Sequence, residues 1–185
     1  KEIQVPLPVE EGEDEEMRPL LSINDNNYKR AVHGDMSCID CHQNIVDSQS
    51  QHNKSELPDP DCASCHQNLW NNYQEKGLAT QMQRMGVVVE NIEAYKTSYH
   101  AKPAKVGFKA SCDDCHHSHE FNVPPRGTLK RTDWHLTIPE VCAGCHEDSI
   151  KEYKSSVHGK EALQKNNSKS AVCTDCHSSH GITRT

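Results

Sequence analysis

One five-residue pattern recurs along this chain and constrains everything it can fold into. Cys38-Ile-Asp-Cys41-His42 is followed by Cys62-Ala-Ser-Cys65-His66, Cys112-Asp-Asp-Cys115-His116, Cys142-Ala-Gly-Cys145-His146 and Cys173-Thr-Asp-Cys176-His177. At this Cys and His content a random chain would hold roughly 0.04 copies. Here five copies consume all ten cysteines. Disulfide pairing leaves the histidine after every second cysteine unexplained, and a zinc ribbon needs paired cysteines but no fixed histidine. C-x-x-C-H is the attachment sequence of c-type haem. Two thiols add to the porphyrin vinyl groups, and the adjacent histidine reaches the iron from the same turn. The chain is therefore expected to bind five haem c. Cys38, Cys41, Cys62, Cys65, Cys112, Cys115, Cys142, Cys145, Cys173 and Cys176 would hold them covalently, with His42, His66, His116, His146 and His177 as proximal ligands.

Such a load changes what the polypeptide must supply. Hydrophobic residues make up 34% of the chain, with two Trp, five Tyr and two Phe, which is little for a protein-only core. The core should be mostly porphyrin, and the chain without haem should be largely unfolded, as small metal domains are without their metal. The expected fold is mainly α with much irregular coil, haem-cored, with little or no β-sheet. A formal charge of −7 argues against nucleic acid, which needs a basic footprint, and suits a redox protein with protein partners. No apolar run approaches the roughly 18 residues of a membrane span. C-type haem is attached on the outer side of an energy-transducing membrane, and the chain starts at Lys1. An exported form with its signal removed is expected, in the periplasm or outside the cell.

Residues 1–27 hold an acidic run, three prolines and no haem motif, and read as an extended, solvated arm. From Tyr28 a repeat appears. Tyr28-Lys-Arg-Ala-Val-His33, Tyr95-Lys-Thr-Ser-Tyr-His100 and Tyr153-Lys-Ser-Ser-Val-His158 each precede a haem motif. They divide the chain into a dihaem unit over 28–94, a second over 95–152, and an incomplete third with one haem over 153–185, together one haem-cored domain. Between residues 68 and 100, Trp70, Tyr73, Leu78, Met82, Met85, Val88, Ile92 and Tyr95 recur near helical spacing. One or two helices are expected there, broken at Gly77 or Gly86. Another helix is expected over 147–157, with Ile150 and Tyr153 inward. Pro139 suits the first turn of a helix carrying Cys142 to His146. Pro124, Pro125 and Gly127 make the stretch from His119 to Thr137 read as a loop.

Eight histidines remain for the distal faces of five irons. His33, His100 and His158 share the repeat slot. His119 and His180 lie in C-H-x-S-H, three residues after a proximal histidine, and should serve a neighbouring haem. With His52, the distal set is expected to be His33, His52, His100, His119 and His158. His135 and His180 are further candidates, and His117 reads as a surface residue. Histidine on both faces fills the iron and suits electron transfer. Because unit three lacks a second motif, His180 or another distal histidine is expected to reach an iron outside its own chain, or the gene to encode more chain beyond Thr185.

Tyr95 to His119 resembles the Y-x-x-S-x-H…C-x-D-C-H segment of membrane-anchored tetrahaem quinol dehydrogenases. Tyr153 to His180 resembles the same unit in large multihaem cytochromes of metal-reducing bacteria. The resemblance implies bis-histidine haems packed edge to edge and electron transfer as the task. The quinol dehydrogenases carry an N-terminal membrane helix, and nitrite-type reductases carry C-x-x-C-K; neither pattern occurs here. Three readings follow. The first is a soluble pentahaem electron conduit between redox partners, and not an enzyme. The second is a subunit of an extracellular filament of identical copies, with a haem ligand shared between them. The third is a small reductase with one open haem.

Overall fold

The computed structural model describes residues 4–6, 17–19, 23–45, 59–102 and 109–183. They fall into two compact units: Lys1–Asp61 with Ser118–Glu120, and Cys62–His117 with Phe121–Thr185. His52 lies outside the described residues. The fold is mainly α, as composition and motif density lead one to expect.

The first unit opens with β1 (Gln4–Pro6) paired antiparallel to β2 (Met17–Pro19), Val5 opposite Arg18. The arm therefore contains a short strand pair, the β-structure found among the described residues. Helix α1 (Asp25–Tyr28) is begun by Asn24, whose side chain accepts hydrogen bonds from the backbone N–H of Asn26 and Asn27 at 3.0 and 3.2 Å. That cap satisfies donors a first turn cannot pair itself. Helix α2 (Cys38–Cys41) follows.

The second unit starts on α3 (Cys62–Glu75), which packs against α4 (Gln83–Thr97). Of the one or two helices expected near residues 68–100 there are two, but α3 begins earlier and carries a C-x-x-C-H motif in its first turns. Gly77 ends the helical path at φ 68°. The Leu78 N–H reaches the Tyr73 carbonyl at 2.8 Å and the Gly77 N–H reaches that of Gln74 at 3.0 Å, the double closure a left-handed residue permits. Gly86 is not the break its identity suggests. It lies inside α4, where a Cβ would stand 3.0 Å from the Trp70 ring, so its missing side chain seats the indole of α3.

After α5 (Asp113–His116), the stretch expected to be loop to Thr137 contains α6 (Leu129–His135). The prolines and Gly127 do form a loop, yet Thr128 then starts a helix by accepting the Arg131 N–H at 3.2 Å. Helix α7 (Ile138–Ala143) has Pro139 in its first turn, as expected. It ends before Cys145, so the fourth motif is only partly helical, with the His146 N–H closing on the Cys142 carbonyl at 3.0 Å. Helix α8 (Glu147–Ser155) is two residues shorter than the sequence suggests, because Ser156 starts a new turn, α9 (Val157–Gly159). A π-helical turn (Lys160–Gln164) and α10 (Cys173–His177) complete the unit.

Leu136, Ala162 and Val172 form a buried cluster with Ile138, Tyr153 and Leu163 packed on it. Beyond it the buried hydrophobics among the described residues are Val89 and Ile150. That is a small core for a chain of this length.

Candidate haem sites

Three of the five motifs sit on very short helices: α2, α5 and α10. A single turn fixes several residues for one hydrogen bond and does not form alone. Each of the three is tethered in the same way. The hydroxyls of Tyr28, Tyr95 and Tyr153 donate to the carbonyls of Met36 (2.8 Å), Ala110 and Ala171 (3.0 Å), always two residues before the first motif cysteine. The carboxylates of Asp40, Asp114 and Asp175 accept the N–H of Ser37, Ser111 and Val172 at 2.7, 2.6 and 2.7 Å, one residue before that cysteine. The motifs at Cys62 and Cys142 carry no aspartate at that position, and ride on the longer α3 and α7.

The repeat histidines are held by a related device. In Tyr95–His100 and Tyr153–His158, the hydroxyls of Ser98 and Ser156 accept the N–H of Ala101 (3.3 Å) and Gly159 (3.0 Å). Each serine caps the turn that presents its histidine. Ala31 occupies this slot in the first repeat. The tyrosine is thus tied to its motif, and the serine to the histidine turn. Both aspartate and serine were present in the motif spellings C-x-D-C-H and Y-x-x-S-x-H, and sequence reading assigned neither a task.

Histidines from distant parts of the sequence come together. In the first unit the rings of His42 and His119 are 6.1 Å apart between centroids with planes at 12°. The second unit brings His100 to 5.9 Å from His146 and His180 to 5.8 Å from His116. Each pair joins one C-x-x-C-H histidine to one that lies outside any motif. The chain reaches these partners through unusual backbone: His117 (φ 46°) and Ser178 (φ 60°), each directly after a motif histidine, are left-handed. That reversal carries His119 and His180 away from their own motifs, and strain of this kind concentrates at functional positions.

Burial pushes His116 down to about 4, with the neighbouring His180 adding to the effect. Burial likewise lowers His180, and it lowers His100 with a contribution from His146. Neutral imidazole is the form that ligates a metal. The Nδ1 atom of His116 is buried with no hydrogen-bond partner.

Other candidates are placed differently. His180 lies beside His116 of its own chain. His135 directs Nε2 at Asp175 Oδ2, 3.0 Å away. His158 is exposed beside the π-helical turn, and its carbonyl accepts the Ser170 hydroxyl at 2.9 Å. His33 and His66 each engage neighbours of their own, and His117 is exposed.

In the second unit, cysteines of different motifs lie near one another. A hydrogen bond from Cys62 is the main cause that brings the Cys112 thiol down to about 6. Burial, then the charge and hydrogen bond of Cys173, push Cys142 up to about 12. Burial and then Asp114 raise Cys115, with Cys145 contributing. Thiol hydrogen bonds thus join the second motif to the third and the fourth to the fifth, and Cys115 of the third lies near enough to Cys145 of the fourth to raise its pKa.

These residues fit a c-type haem. Two metal–nitrogen bonds of about 2 Å, with rings built on bonds of about 1.33 Å, put imidazole centroids about 6.2 Å apart. The three pairs lie at 5.8 to 6.1 Å. Apolar side chains also stand uncovered beside the sites: Ile39, inside the first motif, is 61% exposed and Val157, next to His158, is 76% exposed. Among the described residues no helix is long and apolar enough to cross a membrane. A family model described as outer membrane cytochrome MtrC/MtrF-like, domains II/IV, matches residues 30–185. No curated protein and no solved structure matches the chain.

Proposed function

This chain belongs to the outer membrane cytochrome MtrC/MtrF-like family, domains II/IV, and from that premise we propose that it carries five covalently bound haems and conducts electrons along them between redox partners. The observation that carries this reading is the pairing of motif with non-motif histidines at one repeated distance, 5.8 to 6.1 Å. His42 with His119, His116 with His180, and His146 with His100 would each hold one haem iron. His33 and His158 complete the candidate distal set with His52.

Bound haem supplies a one-electron couple at its iron. The protein's part is to fill both axial positions with neutral imidazole, exclude substrate from the metal, and hold successive haems close. The thiol hydrogen bonds from Cys62 to Cys112 and from Cys142 to Cys173, with Cys115 close enough to Cys145 to feel its charge, support a continuous series through the second to fifth haems. The Tyr28, Tyr95 and Tyr153 repeats support grouping these into two dihaem units and a single-haem third. With every iron filled, the chain acts as a carrier and not as an enzyme. Its family and its cofactor chemistry favour a position outside the cytoplasm.

Intact mass of the purified holoprotein should show five haems, and electron paramagnetic resonance of the oxidised form should show low-spin signals only. A high-spin ferric signal of one haem equivalent would favour the reductase, and a smaller haem count would sink the pentahaem reading.

A further inference from the structure

The three tethered motifs share one construction. In each, a tyrosine hydroxyl holds the carbonyl two residues ahead of the first cysteine, and a carboxylate inside the motif holds the N–H one residue ahead of it. A peptide segment gripped on its carbonyl side and its amide side has a fixed orientation where it enters the turn. These turns comprise four or five residues and have no helix beyond them to stabilise the first bond. By contrast α3 continues for fourteen residues from Cys62, so its motif is held by the following turns.

We propose that Tyr28 with Asp40, Tyr95 with Asp114, and Tyr153 with Asp175 are latches that form the haem-attachment turn and fix its proximal histidine. They are positioning residues and touch neither iron nor porphyrin in this role. This inference rests on the haem-binding reading above. The covalent step they serve is a simple addition. Each Cys S–H bond breaks, a carbon–sulfur bond forms at the vinyl group, and the proton goes to the terminal vinyl carbon. No electrons are gained or lost, and both thiols must be presented on one side of the turn with the histidine.

The latch also links neighbouring sites. Tyr95 ties the end of α4 to the third motif, whereas His100, five residues on, faces His146 of the fourth. One short span therefore registers two haem sites against each other. Burial raises the pKa of all three tyrosines above 10, so the phenol remains a donor at neutral pH.

The test compares the full holoprotein with Tyr28→Phe, Tyr95→Phe and Tyr153→Phe, with Asp114→Asn as a second route to the third motif and Tyr99→Phe as the control. Haem is located by mass spectrometry of haem peptides, and potentials are read by potentiometric titration with paramagnetic resonance. A hydrogen bond of about 1 kcal/mol corresponds to a roughly five-fold change in the population of the formed turn. Each substitution should therefore lower haem occupancy at its own motif or, where haem is retained, shift the potential of one component. Tyr28→Phe acts at Cys38–His42, Tyr95→Phe and Asp114→Asn at Cys112–His116, and Tyr153→Phe at Cys173–His177. Full haem with unchanged potentials overturns the proposal, as does an even loss across all five motifs, which a general folding defect would give. If the unsubstituted chain loads fewer than five haems, the pentahaem reading fails, while the comparison at each loaded motif still decides the latch.

Discussion

The ring of His180 lies 5.8 Å from that of His116, the two planes 20° apart. Phe121 packs edge-on against His116 at 4.2 Å, and burial holds both imidazoles neutral at pH values where free histidine would charge. His180 thus lies beside the histidine of the third motif, within one compact unit. The repeat alone pointed it to an iron outside its own chain.

Replacing His180 should open one iron. In His180→Ala, one haem equivalent should move from low-spin to high-spin in the oxidised spectrum, and added imidazole should reverse the change. Unaltered low-spin signals would remove His180 from the ligand set.

His135 should behave otherwise, because its Nε2 is engaged by Asp175 at 3.0 Å. The pair is partly exposed, so its loss in His135→Gln should cost only about 0.2–1 kcal/mol. All haems should remain low-spin. The appearance of a high-spin haem would make His135 a ligand.

Without haem the chain should not fold cooperatively. Buried hydrophobics among the described residues amount to Val89, Leu136, Ile150, Ala162 and Val172, far too few to offset about 1–2 kcal/mol of backbone entropy per ordered residue. A form with every cysteine changed to serine should show no cooperative thermal transition by circular dichroism. A sharp native-like melt would mean that the protein core suffices.

Gly159→Ala sets two effects against each other. Alanine favours a helix over glycine by about 1 kcal/mol. The new Cβ, however, would lie 1.9 Å from the Tyr153 carbonyl oxygen, which cannot swing aside because it accepts the Ser156 hydroxyl at 2.7 Å. Overpacking of this kind costs about 1–3 kcal/mol, so the clash should win. The thermal midpoint should fall by about 2–4 °C per kcal/mol. A raised midpoint would mean that the turn relaxes freely.

The haem motifs, the helical class and the tyrosine repeat could be read directly from the sequence because each is a local pattern. Pairing was not local. Nothing in C-H-x-S-H says that His119 meets His42 and His180 meets His116; that depends on left-handed residues at His117 and Ser178, neither of them a glycine or asparagine that would advertise the turn. Helix α6 was hidden because Pro124, Pro125 and Gly127 dominate the reading, although Thr128 is a ready N-cap. Gly86 misled in the opposite sense, since a seat for Trp70 and a helix break are spelled alike. The latching aspartates were in plain view but acquire meaning only when the N–H they accept is seen.

The meeting of thiols across motifs has a consequence for how the molecule is made. Cys62 hydrogen-bonds Cys112, and Cys142 does the same with Cys173. Before haem arrives, such neighbours are well placed to oxidise to a disulfide in an oxidising compartment. Cofactor loading and disulfide formation therefore compete for the same sulfur atoms. If these cysteines carry haem, their closeness would make attachment a race, one won only while the thiols are kept reduced.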